Sequence, residues 1–168
     1  MKIGSFAIRL PPLIGAIGFM GLCSSTALAD AAHAHLTPAQ SESLTTDQKR
    51  KGSEVLQVVR DATRRFKVVS QAEAEEYGLL FGCVSGDGEG AMGLHYVNQK
   101  LLSEGKVDAT RSQIVIYEPM ADGSLRLIGA DYLVFKDAWD SNHQLPLQLM
   151  GQAFHLFDAP NQFGLKAF

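Results

Sequence analysis

Cysteine is scarce, with two residues in 168, and Cys23 falls in a segment that reads as an export signal. Cutting there leaves Cys83 as the only thiol, so a disulfide-stapled scaffold within the processed chain is excluded. A lone thiol in an oxidising compartment is either buried or paired with a partner outside this chain. Basic charge is also lacking. The net charge is −3, and removal of Lys2 and Arg9 with the leader takes it to −5. That balance argues against nucleic acid or an anionic membrane surface as partner. No apolar run is long enough to span a bilayer, since the longest, Leu13 to Leu22, falls well short. Ligand-spaced histidines and a Gly-x-Ser-x-Gly elbow are missing too, so no motif fixes a reaction.

What is present begins with an export signal over residues 1–29. Lys2 and Arg9 supply the positive start, the short apolar run follows, and Ala27-Leu28-Ala29 is a small-residue cleavage site. Residues 30–45 form a linker of Ala, Ser, Thr and His without apolar periodicity. Its His33 and His35 could capture copper or nickel, although two imidazoles on such an arm are more often simply solvated. Residues 46–168 then make one α+β domain, and the 139-residue processed chain has the size of one domain with a real core.

Thr45 with Gln48 reads as a capping box, and Val55, Val59, Ala62, Phe66 and Val69 recur at helical spacing. An amphipathic helix follows, with Arg50, Lys51, Arg60, Arg64 and Arg65 as its solvated face. Ser70 with Glu73 could form a second capping box, so Asp47–Tyr77 reads either as one long helix or as two with a break near Ser70, and Gly78 reads as the stop signal. Strands are predicted over Leu79–Val84 and Met92–Val97, a helical turn and loop over Asn98–Arg111, and strands over Gln113–Glu118 and Ser124–Phe135. The last two are joined by a turn carrying Asp122-Gly123. Alternation in the second puts Leu125, Leu127, Leu133 and Phe135 on one face and Ile128, Tyr132 and Val134 on the other, which predicts a central strand covered on both sides. Gln148–Phe157 reads as a strand or short helix.

Six of the sixteen glycines lie between Gly78 and Gly93. The run Gly88-Glu89-Gly90-Ala91-Met92-Gly93 matches the dinucleotide fingerprint in letters. The fingerprint nevertheless needs a helix next, and Leu94-His95-Tyr96-Val97 reads as a strand, so nucleotide binding is not the expectation. Asp87 and Glu89 are too few for a calcium loop. The loop with Gly88, Gly90, Met92 and Gly93 remains the expected functional surface, because glycines permit close backbone approach to a ligand.

Asp131 shares the predicted face of Leu127 and Leu133, where a bare carboxylate is costly to bury without a donor or cation. His95 and His155 alternate into apolar strands, and Glu118 ends one. Two histidines and two carboxylates in one pocket would suit divalent-metal ligation or acid-base chemistry. The alternative is that each is satisfied separately.

The run Gly90-Ala91-Met92-Gly93-Leu94-His95-Tyr96-Val97-Asn98, with Tyr117-Glu118-Pro119, Asp131-Tyr132 and Pro160-Asn161, resembles a family of uncharacterised secreted bacterial proteins. The resemblance covers most of the processed chain and implies no activity. It implies that relatives continue past Phe168 into a segment with histidine, tryptophan and cysteine, which would supply a further strand and a partner for Cys83.

The expected architecture is a long N-terminal helix on a mostly antiparallel, curved sheet, the shape of cystatin-like folds. The expected function is an exported domain that binds a small molecule near the glycine-rich loop, His95 and Asp131. A metal-dependent or acid-base enzyme using His95, Glu118, Asp131 and His155 is the alternative, and an interaction module using exposed sheet edges is a third. Export is checked by N-terminal sequencing of protein from the source organism's envelope or medium. Asp30 is the expected first residue, and intact protein starting at Met1 and confined to the cytoplasm would refute the signal.

Overall fold

The computed structural model describes residues 6–9, 45–86, 90–161 and 163–168. The predicted linker up to Leu44, the histidines His33 and His35, and the loop residues Asp87, Gly88 and Glu89 lie outside them.

Helix α1, Thr46–Thr63, starts at the expected capping box. Gln48 N–H donates to Thr45 Oγ1 at 3.2 Å, and Thr45 N–H donates to Gln48 Oε1 at 2.8 Å, so two donors left over by the helix start are satisfied together. Val55 and Val59 point into the core at 1 % and 0 % exposure, each contributing about 1.5–3 kcal/mol by leaving water. On the outer face Arg50 pairs with Asp47 and Glu54, Lys51 with Asp47, Arg64 with Asp61, and Arg65 with Glu75. Four of the five basic residues expected on the solvated face are therefore paired with acidic side chains of α1 and of the segment that follows it. The helix tightens into a 3-10 turn at Arg64–Lys67, and Val68, in extended conformation, separates it from α2, Val69–Ala74. Of the two readings, one helix or two, the structure has two, but without the Ser70–Glu73 box: Val68 is the cap residue and makes no side-chain cap bond. Gly78 is not the stop either. The chain reverses at Glu76, in left-handed conformation with φ 68°, and Gly78 already lies in a strand.

The main sheet contains β1 (Phe6–Arg9), β2 (Tyr77–Gly86), β3 (Gly90–Asn98), β4 (Ile114–Pro119) and β5 (Leu125–Tyr132) in the order β1-β5-β4-β3-β2, all neighbours antiparallel. A short helix α3, Gln99–Ser103, follows β3, its Leu101 N–H capped by Asn98 Oδ1 at 2.9 Å. After β5 come α4 (Lys136–Asp140) and a small hairpin of β6 (Gln148–Leu149) and β7 (Gln152–Ala153). The expected α+β class, a long helix on an antiparallel sheet, is the observed one. The β4–β5 hairpin turns as Asp122-Gly123 predicts: Gly123 has φ 82°, and Asp122 Oδ1 accepts from Ser124 N–H at 2.9 Å. The predicted second strand is too long, because β5 ends at Tyr132 rather than Phe135, but it is interior to the sheet, between β1 and β4, and packed on both faces.

The sheet is sandwiched. On one face α1, the 3-10 turn and α2 bring Val55, Val59, Phe66 and Ala72 against Leu94, Tyr96, Val115, Tyr117, Ala130 and Tyr132. Three phenols reach out of this layer to fix distant backbone: Tyr77 to Ser112 O, Tyr117 to Phe66 O and Tyr132 to Ala109 O, at 2.6, 2.7 and 2.6 Å. Burial pushes all three phenols above their ordinary pKa. On the other face Val97, Ile114, Ile116 and Leu133 lie under the C-terminal segment, which contributes Phe157, Phe163, Leu165 and Phe168.

One irregularity changes which residues belong to which face. Ile116 pairs with Gly129 but Tyr117 pairs with Leu127, so Ile128 is an extra residue in β5. Leu125 and Leu127 therefore pack on the helix side, while Ile128 joins Leu133 and Phe135 on the opposite side. The expected alternation across Leu125–Phe135 is overturned for this reason, and Asp131 does not share a face with Leu127.

Gly93 sits where this bulge presses on β3. Its φ is 105°, and a Cβ there would lie 2.7 Å from Tyr117 O and 3.2 Å from Ile128 Cδ1. Gly93→Ala should thus combine a strained conformation with a backbone clash and cost on the order of 3 kcal/mol. Gly82→Ala, with nothing within 4 Å of its added methyl, should stay within about 1 kcal/mol of wild type. Urea denaturation of the two variants checks this, and equal midpoints would refute the requirement at Gly93.

Candidate functional site

Strand β3 carries His95 and β5 carries Asp131, one strand apart across β4, both on the face away from α1. Register explains the meeting: His95 lies opposite Ile116, and Asp131 opposite Ile114, two residues along the same strand. Their side chains converge with His95 Nε2 3.5 Å from Asp131 Oδ2, and they retain only 6 % and 9 % of their exposure. The contact is longer than a good hydrogen bond, and it is an ion pair only when the imidazole is protonated.

The other imidazole nitrogen is held from within β3. His95 Nδ1 lies 3.1 Å from Gly93 O, and because a carbonyl only accepts, Nδ1 carries a proton there. Nε2 is thereby left facing the carboxylate. Asp131 Oδ1, by contrast, is buried and has no hydrogen-bond partner among the described residues. A buried acceptor without a donor costs about 1–3 kcal/mol.

The remaining sequence candidates are elsewhere. Glu118 is half exposed at the end of β4 and ion-pairs with Arg126, while His155 is exposed beyond β7. Among the described residues no group of three or more His, Cys, Asp or Glu is placed to hold a metal ion. His95 and Asp131 alone fall short of the three or four ligands a zinc site uses. Of the loop residues, Gly90 opens β3, Met92 is half-buried, and Gly93 supplies the carbonyl that orients His95. Gly90–Asn98 is strand throughout, so the letters of the dinucleotide fingerprint have no helix to serve. Cys83 is half-buried on β2, opposite Leu94.

The cover over this face is the part that sequence reasoning missed. Phe157 and Phe168 exchange backbone hydrogen bonds at 2.7 and 3.0 Å, and their rings stack with centroids 4.9 Å apart. Phe163 lies against Phe168 and Phe81, and Phe81 is the residue paired with His95 across β2–β3. Asn161 shapes the turn, its Oδ1 accepting from both Phe163 N–H and Leu165 N–H at 3.2 Å. A signal existed in Asn161 and the recurring phenylalanines, but no periodicity connects them. At the margin of the aromatic layer a shallow, open cleft of about 390 Å³ is lined by Phe135, Asp137, Ala138, Gly164, Leu165 and Lys166. It is near the lower end of small-molecule sites in volume, and neither His95 nor Asp131 lines it.

No family model, no curated protein and no solved structure matches the chain.

The pair's coupling can be measured. His95→Leu should strand a buried carboxylate and cost about 3–5 kcal/mol, whereas His95→Leu with Asp131→Leu should cost clearly less. Additive losses in a double-mutant cycle by urea denaturation would mean that the two side chains do not interact.

Proposed function

We propose that the chain is an exported domain that binds a small molecule on the sheet face opposite α1, with Asp131 as the polar anchor. The observation that carries this reading is Asp131 Oδ1, without a hydrogen-bond partner among the described residues and nine-tenths buried beside His95. A carboxylate oxygen in that setting calls for a hydrogen-bond donor or a cation. The ligand therefore presents an N–H, an O–H or a positive group, and its apolar part lies against the phenylalanine layer. Gly93 ties the glycine-rich segment to the same site through His95.

Binding fits this arrangement better than acid-base catalysis. A catalytic histidine offers one nitrogen to its orienting carboxylate and the other to the reacting group. In this chain Nδ1 is engaged by Gly93 O and Nε2 faces Asp131, so neither is turned toward a substrate.

Native mass spectrometry of protein purified from the source envelope tests the proposal. Wild type should carry a bound mass of a few hundred daltons that Asp131→Asn loses while remaining folded. Protein free of any adduct in both forms, with no thermal shift from amine or alcohol libraries, would overturn it.

A further inference from the structure

The two edges of the sheet are built differently. The β2 edge shows three register shifts against β3, between Leu79 and Phe81, Phe81 and Cys83, and Val84 and Ser85. Such bulges twist an edge strand and discourage another chain from pairing with it. At the opposite edge Gly129-Ala130-Asp131-Tyr132 of β5 forms an unbroken ladder, without bulge, proline or lysine, and the Asp131 carboxylate is turned under the sheet toward His95 rather than out at the rim. An unmodified edge with buried residues needs a strand beside it.

That strand is β1. Phe6, Ala7, Ile8 and Arg9 pair with Tyr132, Asp131, Ala130 and Gly129 in register. All four lie upstream of Ala29, within the segment that reads as an export leader. We propose that the β5 edge is a strand-acceptor site whose occupant is the chain's own Phe6–Arg9 segment, and that cutting after Ala29 opens it. This rests on reading residues 1–29 as a leader. Before processing, the sheet is closed by strand addition from its own N-terminus, with backbone hydrogen bonds supplying the affinity. After processing, the backbone on both sides of Asp131 is uncovered, one strand away from His95.

The test uses two chains of defined N-terminus, Met1–Phe168 and Asp30–Phe168, so its outcome is independent of whether the leader is cut in the cell, which N-terminal sequencing reads separately. Hydrogen exchange is followed at the backbone amides of Gly129–Tyr132 that face β1. They should exchange at least about tenfold faster in the shorter chain, while the β4 amides keep their protection. A synthetic peptide of residues 3–12 should restore protection in the shorter chain and leave the longer one unchanged. Equal exchange in both chains, or a peptide without effect, overturns the proposal. Protection in the shorter chain that grows with protein concentration also overturns it, by giving the edge to a second copy.

Discussion

The extra residue at Ile128 decides what the molecule can do with Asp131. A side chain in a strand has only two directions available, so one inserted residue reverses every position on one side of it relative to the other. With the insertion, Leu125 and Leu127 go to the helix side, and Ala130 and Tyr132 can still pack beneath α1. Asp131 is then sent to the opposite face, where His95 waits one strand away. Continuous alternation from Leu127 would have put Asp131 against the helix layer, beside Val115 and Tyr117, and turned Tyr132 away from it. A carboxylate there would have met apolar groups and a Tyr117 phenol already committed to a backbone carbonyl.

Gly93 belongs to the same constraint. The bulge brings Ile128 and the Tyr117 carbonyl so close to β3 that no side chain fits at position 93. The backbone conformation that glycine alone takes comfortably, φ 105°, also presents Gly93 O to His95 Nδ1. Among its described residues the glycine-rich stretch thus contributes Gly93, which lies within a strand and orients a side chain. Loop flexibility is not needed for that role, nor is a phosphate cradle.

Local signals in the sequence carried the elements well and the faces poorly. Thr45 with Gln48 and the Val55–Val59 spacing marked α1, and Asp122-Gly123 marked the β4–β5 turn, because each depends on residues close in sequence. Glu76 ending α2 in left-handed conformation was not visible, since nothing in its chemistry demands that geometry as Gly78 would. The bulge at Ile128 was hidden for a different reason. It arises from pairing between β4 and β5, and no residue type announces it. The meeting of His95 with Asp131 followed from the cost of a lone carboxylate on an apolar face, an argument that survives the change of face. Glu118 and His155 had no such energetic demand, and one found Arg126 while the other remained in solvent.

The aromatic cover gives the buried pair its energetic significance. Left open to water, Asp131 Oδ1 would be hydrated and the 3.5 Å approach of His95 would be a weak surface contact. Beneath Phe157, Phe163 and Phe168 the local dielectric falls, the pair's attraction strengthens, and the cost of the unused oxygen rises with it. The C-terminal segment is held by the Phe157–Phe168 backbone bonds, the Lys136 N–H bond to Ala167 O, the Asn161 turn and ring contacts, with no helix among its described residues. A cover of that kind can open locally at far lower cost than the helix-side core, where α1 and three buried tyrosines bind the layers together. Access to Asp131 by the proposed ligand is therefore a matter of moving the phenylalanine segment while the sheet and α1 stay in place.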